Sequence, residues 1–94
     1  MKVDILYFNG SLGIEEFLNW IADIDRFFNY METPGEKRER LVACRLKGGA
    51  SAWWERLQNK REREGKYRVR TLTRMRRLLK WEFLPLDYKQ IMFQ

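Results

Sequence analysis

The sequence predicts an all-α fold, a compact bundle of about five helices preceded by a short extended N-terminal segment. Three observations carry that prediction. Apolar residues recur at helical spacing along most of the chain; within LKGGASAWWERL, Ala50, Trp53, Trp54 and Leu57 fall at i, i+3, i+4 and i+7. Only residues 3–8, VDILYF, read as a strand, and FNGS breaks that run with turn residues. Capping and terminating residues then punctuate the chain at Gly13, TPGE, Gly48, Thr71 and Pro85. We read residues 1–94 as one domain, with 1–12 as an extended arm and 13–94 as helical.

Each helix has its own warrant. The first starts near Gly13, with Glu15 and Glu16 in the first turn, where the helix dipole favours negative charge. Phe17, Leu18, Ile21, Ile24, Phe28 and Met31 form its apolar face, widened by Trp20 and Phe27. TPGE opens the second helix: Thr33 as cap, Pro34 at the first helical position and Glu36 closing a capping box. That helix is expected to run to about Lys47 and stop at Gly48, a residue suited to a left-handed cap. Gly49, Ala50, Ser51 and Ala52 open the third helix with little bulk, which permits close approach before the paired indoles. Its charged extension ends at Gly65. Thr71 caps a fourth helix with Leu72, Met75, Leu78, Leu79 and Phe83 inward, and Pro85 ends it. Leu86 to Gln94 read as a shorter fifth helix, with Tyr88, Ile91 and Met92 on one side and no terminator. The expected core is Phe17, Trp20, Ile21, Phe28, Leu41, Leu46, Trp53, Trp54, Leu57, Met75, Leu79 and Phe83.

Composition narrows the function. The chain is 45% hydrophobic and 15% aromatic, which separates it from disordered sequences despite 34% charged residues. No apolar run approaches the ~20 residues of a membrane-spanning helix, and no signal peptide is visible, so a cytoplasmic protein is expected. Cys44 is the single cysteine and histidine is absent, which excludes an internal disulfide, a Cys/His metal site and any catalytic set built on histidine. Cys44 lies in LVACRL and reads as a small buried hydrophobe. Gly48-Gly49 lacks the strand and the Lys-Ser/Thr pair of a phosphate-binding loop, and the carboxylates sit on helix faces where solvation explains them. No enzyme, no cofactor and no metal are expected; a binding or assembly module remains.

Charge is uneven. Residues 1–47 carry seven basic against eight acidic groups, whereas residues 48–94 carry twelve against five. KREREGKYRVR alone holds +4 of the net +6, through Lys60, Arg61, Arg63, Lys66, Arg68 and Arg70. Those six are the candidate polyanion contact, by counterion release from phosphates. The bland alternative is a solvated helix end tempered by Glu62 and Glu64, with Tyr67 as the one aromatic platform.

The landmarks also occur in a recognisable order: FNG, EEFLNWIADIDRFFNYM, EKRERLVACRLKGGASAWWERL and RTLTRMRRLLKWEFLPLDY. With its F-x-G, L-K-G-x-A-x-x-W-W and F-L-P-x-D-Y spacings, the chain resembles the Gag protein of gypsy-type long-terminal-repeat retrotransposons, the plant lineages especially, over about residues 5–94. Trp53 and Trp54 match the paired tryptophans, Phe17 and Trp20 the first-helix aromatics, and Phe83, Pro85 and Tyr88 the closing motif. Leu72 stands where the family usually has tryptophan, and Leu86 where a second proline is common. The resemblance implies the N-terminal lobe of a retroviral-type capsid, self-associating through its first two helices into virus-like particles around the element's RNA. It also implies that RNA packaging falls to a region further along, so RNA association through this lobe is weak or indirect. The alternative it carries is a domesticated lobe that binds a host peptide in a hydrophobic groove, which VDILYF either covers or competes for.

Overall fold

The computed structural model describes residues 4–88. Four helices follow one another as α1 (Ile14–Met31), α2 (Gly35–Ala43), α3 (Gly48–Arg63) and α4 (Leu72–Phe83). Helical backbone resumes at residues 86–88 as the start of a fifth; the rest of that expected helix lies outside the described residues.

Helix α1 begins after Gly13, as its acidic first turn predicts, and buries Phe17, Trp20, Ile21, Ile24 and Phe28. Met31, expected on that face, is 52% exposed because the helix ends there, with Glu32 in a left-handed conformation at φ 50°. The TPGE reading is off by one residue. Pro34 is the N-cap, and α2 starts at Gly35. Thr33 therefore lies outside the helix, where its hydroxyl is too far upstream to bond the second or third helical N–H. The Thr33 carbonyl instead accepts from Nε of Arg38 at 3.0 Å.

Helix α2 also stops four residues earlier than its periodicity predicts, and the cause is tertiary. The extended arm runs alongside the α2–α3 connection: the Phe8 N–H donates to the Arg45 carbonyl at 2.9 Å, and the Lys47 N–H donates to the Phe8 carbonyl at 3.0 Å. This parallel bridge between Phe8 and Leu46 holds Leu46 in extended backbone that would otherwise add another helical turn. Gly48 does take the left-handed conformation, at φ 57°, but as the bend between the bridge and α3.

The arm supplies the centre of the core. Phe8, 1% exposed, stacks on Trp20 at 4.7 Å, meets the edge of Phe83 at 4.9 Å and lies 5.3 Å from Phe17. Ile5, Val42, Leu46, Ala50, Trp54, Val69, Met75, Leu79 and Leu84 complete the buried set. At the far end of the chain, the Thr71 hydroxyl accepts from the Arg74 N–H at 3.3 Å, the cap expected for α4.

Five expectations about the interior need correction. Leu41 is 43% exposed, because nine-residue α2 turns Glu39 and Val42 inward and places Leu41 about 100° away from Val42. Trp53, Leu57 and Phe83 are half-buried at the margin of the core. The adjacent tryptophans thus divide their work: Trp54 is 4% exposed, and Trp53 packs against Phe83 at 5.2 Å with one side open. Cys44 is exposed, since α2 ends just before it.

Candidate functional site

The six candidate polyanion residues occupy the last turn of α3 and the loop that follows. Cations there suit the negative end of the helix dipole, which already explains part of their placement. The loop is held from three sides. The buried amide of Gln58 clamps Val69: Nε2 donates to the Val69 carbonyl at 3.0 Å, and Oε1 accepts from the Val69 N–H at 2.9 Å. The Arg61 carbonyl accepts from the Lys66 N–H at 2.9 Å, and Nε of Arg61 donates to the Tyr67 carbonyl at 2.7 Å. Gly65, at φ 75°, makes the reversal.

The cations do not form one uncommitted patch. Lys66 lies 3.5 Å from Glu64 and Arg68 lies 3.6 Å from Glu62, both as exposed pairs. Arg61 is spent on the Tyr67 carbonyl, and the Arg70 guanidinium stands 5.9 Å from the Tyr67 ring centroid. Among the described residues, Lys60 and Arg63 form no ion pair. What the loop presents outward is Tyr67, 83% exposed.

A second feature lies between the arm and α1. Leu6, Tyr7 and Leu12 from the arm, with Glu16, Asn19, Trp20 and Asp23 from α1, line an open groove of about 260 Å³. Its geometry is fixed by the Trp20 indole, whose Nε1 donates to the Leu6 carbonyl at 2.7 Å. Tyr7 is backed by Arg45, which donates to its hydroxyl at 3.0 Å and is itself 2.8 Å from Asp4, and by the Lys47 ammonium, 5.2 Å from its ring. Ile5 and Phe8 are buried while Leu6 and Tyr7 are exposed, an in-out-out-in order that departs from the strict alternation of a strand. The arm therefore fills the core with one face and builds the groove with the other. A third depression, of about 310 Å³ between α2 and α3, mixes Arg40, Glu55 and Arg68 and has no single sign of charge.

Sequence reasoning missed Phe8, Ile5, Val69 and Leu84 as core, and Glu39 and Gln58 as buried polar residues. Phe8 was visible as part of VDILYF, but nothing local says that an isolated extended stretch enters a helical core. Glu39 does follow the inward spacing of Val42 and Leu46, at i, i+3 and i+7. Among the described residues no group of acidic or cysteine side chains is placed to hold a metal ion, and no helix is long and apolar enough to cross a membrane.

The family model for the N-terminal capsid-like domain of the retrotransposon-derived protein PEG10 matches residues 2–84. Neither the curated proteins nor the solved structures searched return a match.

Proposed function

The chain belongs to the family of retrotransposon-derived PEG10 N-terminal capsid-like domains, and from that premise we propose that it is a shell-building lobe of a gypsy-type Gag protein. In this reading the lobe acts in the cytoplasm, where copies associate into virus-like particles that enclose the element's RNA. Its role is structural, and RNA contact through Lys60 to Arg70 is weak and lost as salt rises. The observation that carries the reading is the family match across residues 2–84, joined to an all-α unit of the expected kind. Shell subunits act through many individually weak contacts, whose number rather than strength secures the assembly. Sedimentation of the 94-residue chain over a micromolar to millimolar series tests this. Reversible association that grows with concentration is the expected result, and a strict monomer throughout overturns it.

A second reading, a domesticated lobe that takes a host peptide, is favoured by the arm–α1 groove, which offers an apolar floor beside the carboxylates of Glu16 and Asp23. A tight dimer persisting at nanomolar concentration, in place of graded association, would favour host adaptation over shell building.

A further inference from the structure

We propose that the Tyr67 loop of one copy docks into the arm–α1 groove of another, a head-to-tail contact between identical chains. The proposal rests on the self-association reading above and names the surfaces that serve it.

The loop has the make-up of an interface anchor. Tyr67 is 83% exposed, yet the backbone around it is fixed by Arg61 and by the Gln58 clamp on Val69. Little backbone entropy therefore remains to be lost when the ring is buried, a condition that favours binding through a single aromatic anchor. Lys66 and Arg68 flank it in sequence and the Arg70 guanidinium stands 5.9 Å from its ring centroid, so its partner must accept a ring and tolerate positive charge.

The groove is the complementary surface. Its two charged lining residues, Glu16 and Asp23, are both acidic, and Leu6, Leu12 and Trp20 supply apolar walls. Asp23 is already engaged by Arg26, which leaves Glu16 as the carboxylate available to a phenol hydroxyl or a cation. Arg45 and Lys47 stand at the Tyr7 end of the groove, which favours entry of the basic loop from the Glu16 end. At about 260 Å³ the groove falls below the ~300–1,000 Å³ typical of small-molecule sites and suits one aromatic side chain.

The two surfaces share no residue. One copy can therefore use both at once, and such a heterologous contact propagates into a ring or a filament. Single-stranded RNA is the competing occupant for an exposed ring among cations. It is disfavoured here because the loop offers only one ring, whereas single-strand binders stack successive bases on several.

The test uses two substitutions at exposed residues, Tyr67→Ala on the loop and Glu16→Lys in the groove, each checked for native helicity by circular dichroism. Sedimentation equilibrium at low salt should show self-association weakened about tenfold or more by either change, the scale of losing an interface anchor. The decisive sample is their equimolar mixture. Glu16→Lys keeps an intact loop and Tyr67→Ala keeps an intact groove, so the mixture should restore association but stop at the heterodimer. Unchanged association of Tyr67→Ala, or no complementation in the mixture, overturns the proposal while leaving the self-association reading in place. A wild-type chain that stays monomeric removes both. If Tyr67→Ala lowers affinity for oligouridylate RNA and leaves self-association untouched, the loop is an RNA platform and the proposal fails.

Discussion

Nε1 of Trp54 donates a 3.1 Å hydrogen bond to the carboxylate of Glu39, and both side chains are at least 95% buried. Trp54 therefore does two jobs, filling the space between α2 and α3 and satisfying a charged-type group that has left water. An unpartnered carboxylate in that position would carry its full desolvation cost.

The first prediction concerns the division of work between the adjacent indoles. Trp54→Ala should destabilise the fold by about 3–5 kcal/mol, the range for truncating a large buried aromatic. Trp53→Ala should cost about 1–3 kcal/mol, because half-buried Trp53 already leaves part of its surface in water. Trp54→Phe isolates the polar component: it keeps an aromatic ring but strands Glu39, at a cost of about 1–3 kcal/mol. Urea denaturation ranks the three. Equal losses at positions 53 and 54 would contradict the burial difference.

Gln58 offers a second test, since one side chain satisfies both backbone groups of buried Val69. Gln58→Ala leaves a buried N–H and a buried carbonyl unpaired, for a loss of about 2–4 kcal/mol. Hydrogen exchange localises the effect: the Val69 amide should lose protection first. Persistent protection there would mean that the loop is held by something other than this clamp.

These two residues also show what a linear reading can and cannot reach. The α1 start, the Thr71 cap and the stop before Pro85 were legible because a cap or terminator acts within a few residues of its own position. The early end of α2 was not, because the Phe8 bridge that stops it comes from about 38 residues upstream. Glu39 and Gln58 resemble surface residues in sequence; their burial depends on partners 15 and 11 residues away. The candidate loop was visible as a charge run, but its internal ion pairs, and the emergence of Tyr67 as its outward feature, required the folded chain. The groove was invisible, since it depends on which face of the arm turns inward.

Two glycines should respond to alanine in opposite directions. Gly10 has φ 96°, and a Cβ there would lie 3.0 Å from the Phe83 ring, so Gly10→Ala combines backbone strain with a steric conflict. The expected loss is about 1–3 kcal/mol. At Gly35, the first residue of α2, a Cβ meets nothing within 4 Å. Gly35→Ala should therefore stabilise by about 0.4–1 kcal/mol through reduced freedom of the unfolded chain. Thermal melts of the two variants should move to opposite sides of wild type; a shared direction would refute the contrast.

Lys80 gives the pH-dependent prediction. Burial lowers its pKa from the ordinary value of 10.5, and neighbouring Arg76 adds to the shift, with Asp25 opposing it. Below the lowered folded value, Lys80 is protonated in both states and its charge opposes folding. Between that value and 10.5, the unfolded chain binds more protons, so stability from this group rises with pH. Lys80→Gln should thus be more stable than wild type at neutral pH. Solvent screening keeps the gain within about 0.5 kcal/mol. The difference should shrink as pH climbs through that interval; a constant or growing difference would mean the charge is not the cause.

The last prediction concerns whether the arm belongs to the folded unit. Phe8 touches three aromatic rings from two helices, and its backbone is bonded on both sides to the α2–α3 connection. Truncating it removes the ring that Trp20, Phe17 and Phe83 share, and no neighbouring chain can close that space without opening another. Phe8→Ala should cost about 3–5 kcal/mol. A chain of this length has a total stability of about 5–14 kcal/mol, so the variant sits near the point of unfolding at physiological temperature. In this variant the amides of residues 8 and 47, which make the bridge, should exchange faster than those in the middle of α1, because loss of the ring loosens the arm first. Its release would also dismantle the groove walls contributed by Leu6, Tyr7 and Leu12. At temperatures where the variant remains helical, it should therefore lose self-association through that surface. A variant that melts within a few degrees of wild type, with both bridge amides still protected, would show that the arm merely lies on a core that α1 to α4 complete by themselves.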